Sequence, residues 1–332
     1  MDVETAFLNG AITSEVYVNQ PKGYADGTNR VCKLSKALYG LKESPRDWYE
    51  CFDRYVTRLG FKKNNIEFCL YTHGEGEKIV YLLIYVDDVL ICNKNKRKIQ
   101  SVKKLLTDKF EMRDLGEVKE YLGTNIEYDY SKNEMRLNQK KYIESLANKY
   151  KLQNSKLYCT PMETNLKIEK AEINREDIGY KNLISALLYI SVNTRPDISY
   201  SVNYLSRFQD CCSETHFKYA LRILKYLYRA RDLRLEYKRN EKCETIDCYV
   251  DADWADHLDR KSTSGYVIRL YGNVIGWKSK KQRCVAKAST YAEYVALLEA
   301  MSELMYIREI VKFFNVNLND NPVKCMRITL EF

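Results

Sequence analysis

The stretch Tyr81-Leu82-Leu83-Ile84-Tyr85-Val86-Asp87-Asp88-Val89-Leu90-Ile91 sets two adjacent carboxylates between runs of β-branched, aromatic and aliphatic residues. That pattern predicts a strand, a tight turn and a second strand, with both aspartates at the tip. Neighbouring carboxylates repel each other, so both stay ionised cheaply only where water or a cation meets them. A solvated hairpin turn would satisfy the same demand. However, neither central position is the glycine that short hairpins prefer, and the long apolar flanks imply a buried hairpin carrying charge at its end.

The same reading extends along the chain. Residues 1–10 predict a short strand running into a turn or helix start. Ser44-Pro45 reads as the cap and first-turn proline of a helix over about 46–59, closed by Gly60. The basic run Lys94-Asn95-Lys96-Arg97-Lys98 leads into an amphipathic helix around 97–110, with Ile99, Val102, Leu105, Leu106 and Phe110 on its apolar side. A helix over 142–150 precedes a polar stretch, 163–180, that reads as an interdomain linker. Helical patterns return over 180–192, 198–208 and 215–228, the last with Lys218, Arg222 and Lys225 on one side. Beyond them a strand ends at Asp251, and Ser262-Thr263-Ser264-Gly265 predicts the turn into a strand over 266–270. A further strand, 274–277, is followed by the basic run 278–283. Thr290-x-x-Glu293 has the spacing of a capping box at the start of a long helix, 290–314.

Composition narrows the class. A chain of 332 residues is long enough for two domains with separate cores. It has no apolar run of membrane-spanning length, and it opens with Asp2 and Glu4 rather than a basic targeting segment. The net charge of +9 is compatible with nucleic-acid binding and equally with an ordinary cationic surface. Eleven cysteines, an odd number without paired Cys-x-x-Cys spacing, read as packed thiols of a reducing compartment rather than a disulfide frame or zinc site. His73, His216 and His257 are too dispersed for a histidine metal site.

Tyr85-Val86-Asp87-Asp88 resembles the signature tetrapeptide of reverse transcriptases, and its surroundings resemble copia-type retrotransposon polyproteins. Three further blocks carry the resemblance. Met1-Asp2-Val3-Glu4-Thr5-Ala6-Phe7 is similar to the first palm motif. Tyr39-Gly40-Leu41-Lys42 with Ser44-Pro45-Arg46 and Trp48 is similar to the second. Tyr249-Val250-Asp251-Ala252-Asp253-Trp254 and Ser289-Thr290-Tyr291-Ala292-Glu293 resemble the start of an RNase H domain. The turns Asp114-Leu115-Gly116-Glu117 and Tyr121-Leu122-Gly123 resemble the block that completes the palm.

The resemblance implies an α+β fold: a reverse-transcriptase palm with helical thumb and connection, followed by a partial RNase H-like α/β domain. The implied boundaries are 1–158 for palm and thumb, 159–240 for linker and helical connection, and 241–332 for the RNase H-like part. It implies RNA-directed DNA synthesis, with Mg²⁺ or Mn²⁺ held by Asp2, Asp87 and Asp88. Phe7 falls where the family places an aromatic gate against the ribose 2′-hydroxyl, although by composition alone it is simply core. Gly40 is expected to permit close backbone approach. Tyr39, Lys42 and Arg46 are expected at the nucleotide or template, against the plainer reading of an exposed helix start. Asp251 and Glu293 match the first two metal-binding carboxylates of RNase H. The implied partners are an RNA template, a DNA primer, their hybrid and deoxynucleoside triphosphates, with no membrane; cytoplasmic particle or nucleus is the implied location.

Two departures temper that expectation. The family's fingers precede the first palm motif, and the chain starts at Met1 with Asp2 one residue from a terminus, where strands fray. At the other end Pro322 to Leu330 resembles the third RNase H strand, but Cys-Asp-Asn does not follow, and two carboxylates would hold metals weakly. A catalytically dead remnant that only binds nucleic acid is therefore the competing expectation.

Overall fold

The computed structural model describes residues 1–12, 14–171, 179–240, 245–255, 259–314 and 324–327. His257 and much of the expected linker, 172–178, lie outside the described residues. The chain divides into two compact units, Met1–Val118 and Lys119–Phe332. Both mix helices and sheets, and seven α-helices occur among the described residues.

In the first unit, strands β1 (Asp2–Val3), β2 (Tyr17–Asn19) and β3 (Val31–Lys33) precede helix α1 (Ser44–Arg58). Strands β4 (Lys62–Lys63), β5 (Leu70–His73), β6 (Val80–Tyr85) and β7 (Asp88–Cys92) follow, then helix α2 (Lys96–Thr107) and β8 (Met112–Arg113). Six of these strands form one antiparallel sheet in the order β4-β5-β6-β7-β1-β8; β2 and β3 pair separately. Strand β6 shows the period of two that a one-sided core demands: Val80, Leu82 and Ile84 are buried, and Tyr85 is exposed. Those side chains meet Trp48, Phe52 and Val56 of α1 and Val102 and Leu106 of α2 in one core.

The helices differ in detail from expectation. Ser44 is not the cap of α1 but its first residue, because its hydroxyl is engaged elsewhere, donating to the Leu38 carbonyl at 2.6 Å. Glu43 takes the cap position, and Gly60, at φ +88°, follows the end of the helix as predicted. Helix α2 is capped by Asn95, whose side chain accepts from the Arg97 amide, and it stops at Thr107. Phe110 therefore reaches the core from the turn beyond the helix, and Leu105 is exposed.

The second unit opens with a meander, β9 (Glu120–Tyr121), β10 (Thr124–Asp129) and β11 (Glu134–Asn138). The Tyr121-Leu122-Gly123 turn thus belongs to this sheet. Helices α3 (Lys140–Lys149), α4 (Tyr180–Asn193), α5 (Ser199–Ser206) and α6 (Glu214–Arg229) come next, and they share a core that includes Ile143, Leu187, Val202 and Leu224. Strand β12 (Leu235–Lys238) returns from α6 to pair with β11, giving the order β12-β11-β10-β9.

Strands β13 (Ile246–Ala252), β14 (Thr263–Leu270) and β15 (Asn273–Lys281), helix α7 (Ser289–Phe313) and β16 (Lys324–Arg327) complete the unit. The sheet order is β15-β14-β13-β16, with β16 parallel to β13 and every other pair antiparallel. Buried Ala292, Ala296 and Ala300, each one turn from the next, give α7 a thin face, and Ala296 and Ala300 share a core with the sheet. The expected turn 262–265 is instead mostly strand. Ser262, Thr263 and Ser264 are buried, and the Thr263 amide donates to Asp253 Oδ1 at 2.5 Å. Pairing with β14 likewise carries β15 through the basic run as far as Lys281.

Candidate active site

Two residues, Val86 and Asp87, make the hairpin turn, because Tyr85 pairs with Asp88. The expected tip is corrected accordingly: Asp88 is the first residue of β7, and Val86 shares the turn with Asp87. Val86 adopts φ +56°, a conformation that glycine takes easily and a β-branched residue rarely does. From α1, the Trp48 indole N–H donates to the Val86 carbonyl at 2.6 Å.

Asp2 comes beside these carboxylates through backbone pairing. Strand β1 lies between β7 and β8, with Asp2 opposite Asp88 on one side and Arg113 on the other. The Val3 amide donates to the Asp87 carbonyl and the Val89 amide to the Met1 carbonyl, each at 2.8 Å. Strand β1 is therefore tied along both edges rather than frayed. Asp2, Asp87 and Asp88 are all half-buried. Burial raises the Asp88 carboxyl above the usual carboxylate range, and the charges of Asp87 and Asp2 add to the effect. Among the described residues, no three His, Cys, Asp or Glu side chains are gathered closely enough to hold a metal ion as they stand.

The residues expected around the nucleotide fall into two groups. Phe7 is 8% exposed and belongs to the core of the first unit, its ring 4.3 Å from that of exposed Tyr39. Lys42 and Arg46 are exposed near the start of α1, where Arg46 pairs with Glu50 at 2.9 Å. Gly40 serves conformation, not close approach: it adopts φ +96°, and an added Cβ would meet nothing within 4 Å. Close approach occurs instead at Gly10, where a Cβ would come within 2.9 Å of the α1 backbone at Asp47 and Trp48. The motif that contains Trp48 carries no sign of its bond to the hairpin; the available signal was the indole itself, which usually finds an acceptor when buried.

In the second unit Asp251 is exposed near the end of β13, opposite Gly265 of β14, and Glu293 is half-buried on α7. Glu293 is not part of a capping box. The helix starts at Ser289 with Ala288 as its cap, so Thr290 is already inside it. Gln282 ties the start of α7 to the sheet, its side-chain amide donating to the Ala292 carbonyl at 2.8 Å and to Ser264 Oγ at 3.0 Å. No helix among the described residues is long and apolar enough to cross a membrane.

Residues 1–164 match the family model described as reverse transcriptase (RNA-dependent DNA polymerase). The retrovirus-related Pol polyprotein from transposon TNT 1-94 of Nicotiana tabacum is 34% identical over 337 residues, covering 98% of this chain and 25% of that protein. The Pol polyprotein from transposon RE1 of Arabidopsis thaliana is 35% identical, over 97% of this chain and 22% of that protein. The chain thus spans about a quarter of the length of these relatives. The transposon Ty5-1 protein YCL074W of Saccharomyces cerevisiae is similar over its whole length, 34% identical across 92% of this chain. With two aspartates at a β-hairpin, a third paired beside them, and these relatives along nearly its full length, the chain belongs to the reverse transcriptase family of copia-type retrotransposon Pol polyproteins.

Proposed function

We propose that this chain carries out RNA-templated DNA synthesis, joining a primer 3′-hydroxyl to the α-phosphate of a deoxynucleoside triphosphate. Asp2, Asp87 and Asp88 hold the divalent cations. The observation that carries the reading is the pairing of Asp2 with Asp88 beside a turn that presents Asp87. The donor chemistry suits the role, since hard oxygen ligands favour Mg²⁺ or Mn²⁺; a bound cation would draw together three carboxylates that are not gathered without it and relieve the repulsion felt at Asp88. Bound Mg²⁺ supplies Lewis-acid activation of the attacking hydroxyl and charge neutralisation at the leaving pyrophosphate.

The chain's own residues supply position. The sheet fixes Asp2 against Asp88, and Tyr39, Lys42 and Arg46 offer an exposed ring and two cations to base or phosphate. In the domain reading, residues 1–158 are palm and thumb, 159–240 linker and connection, and 241–332 an RNase H-like part. The last is supported by three antiparallel strands followed by a helix and a fourth strand parallel to the first. Asp251 and Glu293 are its cation-binding carboxylates. RNA template, DNA primer and their hybrid are the macromolecular partners.

The test is dTTP incorporation on a poly(rA)/oligo(dT) primer–template with Mg²⁺, against Asp87→Asn. Incorporation that disappears in the variant supports the reading. A folded protein that binds the primer–template in a salt-sensitive way and incorporates nothing is a nucleic-acid-binding relic instead.

A further inference from the structure

The turn that presents Asp87 is held from outside the hairpin. Val86 occupies the first central position of a two-residue turn, and between the two turn residues it alone has positive φ. That is the position glycine fills in turns of the II′ type. Valine is among the residues least able to adopt it, since both Cγ branches crowd the backbone.

The hold comes from Trp48. Its ring is 2% exposed, and its N–H has the Val86 carbonyl as acceptor at 2.6 Å. A buried indole N–H without an acceptor is costly, so the bond constrains both ends. Trp48 cannot swing aside, because Phe52 and Phe110 pack on it with ring centroids 5.6 and 5.1 Å away. The opposite side of the turn is fixed by β1, where the Val3 amide takes the Asp87 carbonyl. The turn is thus pinned at two successive carbonyls, one from α1 and one from β1.

We propose that Trp48 is a positioning residue: its N–H clamps the Val86 carbonyl, keeps the turn in its left-handed conformation, and so sets where Asp87 and Asp88 stand relative to Asp2. The consequence for cation binding rests on the polymerase reading; the clamp itself does not.

The test compares the full chain with Trp48→Phe, Val86→Gly and the double variant. Two readouts are hydrogen exchange of the 85–89 amides and affinity for Mn²⁺ as the probe ion. Removing the donor should speed exchange at the hairpin about tenfold and weaken Mn²⁺ by about tenfold, as loss of an outer-sphere support typically does. Adding Val86→Gly, which needs no clamp to keep positive φ, should restore both. A residue of merely structural importance would lose stability in Trp48→Phe without that rescue. Unchanged hairpin exchange, or accelerated exchange that glycine fails to restore, overturns the proposal. If Trp48→Phe does not fold, 3-benzothienylalanine at position 48 keeps the bicyclic ring and removes only the donor. Mn²⁺ affinity that ignores Asp87→Asn would sink the polymerase reading, while the exchange readout still decides the clamp.

Discussion

Asp2 stands directly opposite Asp88, on the strand that pairs with β7 on the side away from its hairpin partner β6. Asp87 sits in the turn next to Asp88, and burial together with the charges of Asp87 and Asp2 lifts the Asp88 carboxyl above its ordinary range. An arrangement that costs stability in the metal-free protein is the kind that function retains.

Asp88→Asn should therefore stabilise the metal-free chain while removing a ligand that the proposed nucleotidyl transfer needs. The amide keeps the shape and removes one of three like charges. A rise in melting temperature of about 2 °C corresponds to a modest relief of repulsion in a chain of this size. Calorimetry without divalent ions measures it, and Mg²⁺-dependent dTTP incorporation should fall to background. A lower melting temperature than the parent would mean that the repulsion is not felt.

Much of this site was legible before any coordinates. The strand–turn–strand and the acidic pair it carries follow directly from residue order, whereas the period-two burial of β6 does not, because its residues are apolar throughout. The strain at Val86 was not legible, since nothing in its neighbours marks a valine for a glycine's conformation. Ser262-Thr263-Ser264-Gly265 misled for the opposite reason. These are turn-forming residue types, yet they are mostly paired in β14, and their polar groups are satisfied by Asp253, Ala255 and Gln282. Nor could residue order predict that β12 returns to pair with β11 across the intervening helices.

Phe110 closes the aromatic core of the first unit from beyond the end of α2. It stacks on Phe52 with centroids 5.8 Å apart and meets Trp48 and Tyr55 edge-on. Phe110→Ala should cost about 3–5 kcal/mol, the range for emptying a buried aromatic site. Urea unfolding followed by hydrogen exchange in the first unit measures it. Because Phe110 packs on Trp48, exchange at the 85–89 hairpin should rise in the same variant.

Arg195 is 2% exposed, and its buried charge is paired with Asp197. Its Nε and Nη2 donate to the two carboxylate oxygens at 2.9 and 2.7 Å, and Nη1 donates to the Ala230 carbonyl at 2.9 Å. Burial pushes the Asp197 carboxyl up, but Arg195 and the Tyr226 hydroxyl more than offset that and leave it below the usual range. Asp197→Ala strands a buried guanidinium and should cost about 3–5 kcal/mol. Combining it with Arg195→Met should recover most of the loss. Urea midpoints of the three proteins test this, and an additive double variant would refute the coupling.

His216 should make the second unit sensitive to mild acid. The Ser213 amide donates to Nδ1 at 3.1 Å, which requires a free lone pair there and hence a neutral ring protonated at Nε2. The ring is buried between Phe208, 4.5 Å away, and Tyr180, 6.2 Å away. Burial pushes its pKa below the usual value of 6.5, opposed by the backbone of Glu169. The sign follows from linkage: the unfolded chain takes up the proton first as pH falls. The stabilisation is complete above about pH 6.5 and is lost as pH falls through the lower folded value. His216→Asn keeps an acceptor at the Nδ1 position and cannot titrate. Between about pH 7.5 and about pH 5.5, the urea midpoint of the parent should fall further than that of the variant. Equal slopes would show that the folded ring takes up its proton as readily as the unfolded chain does, so that burial does not penalise its charge.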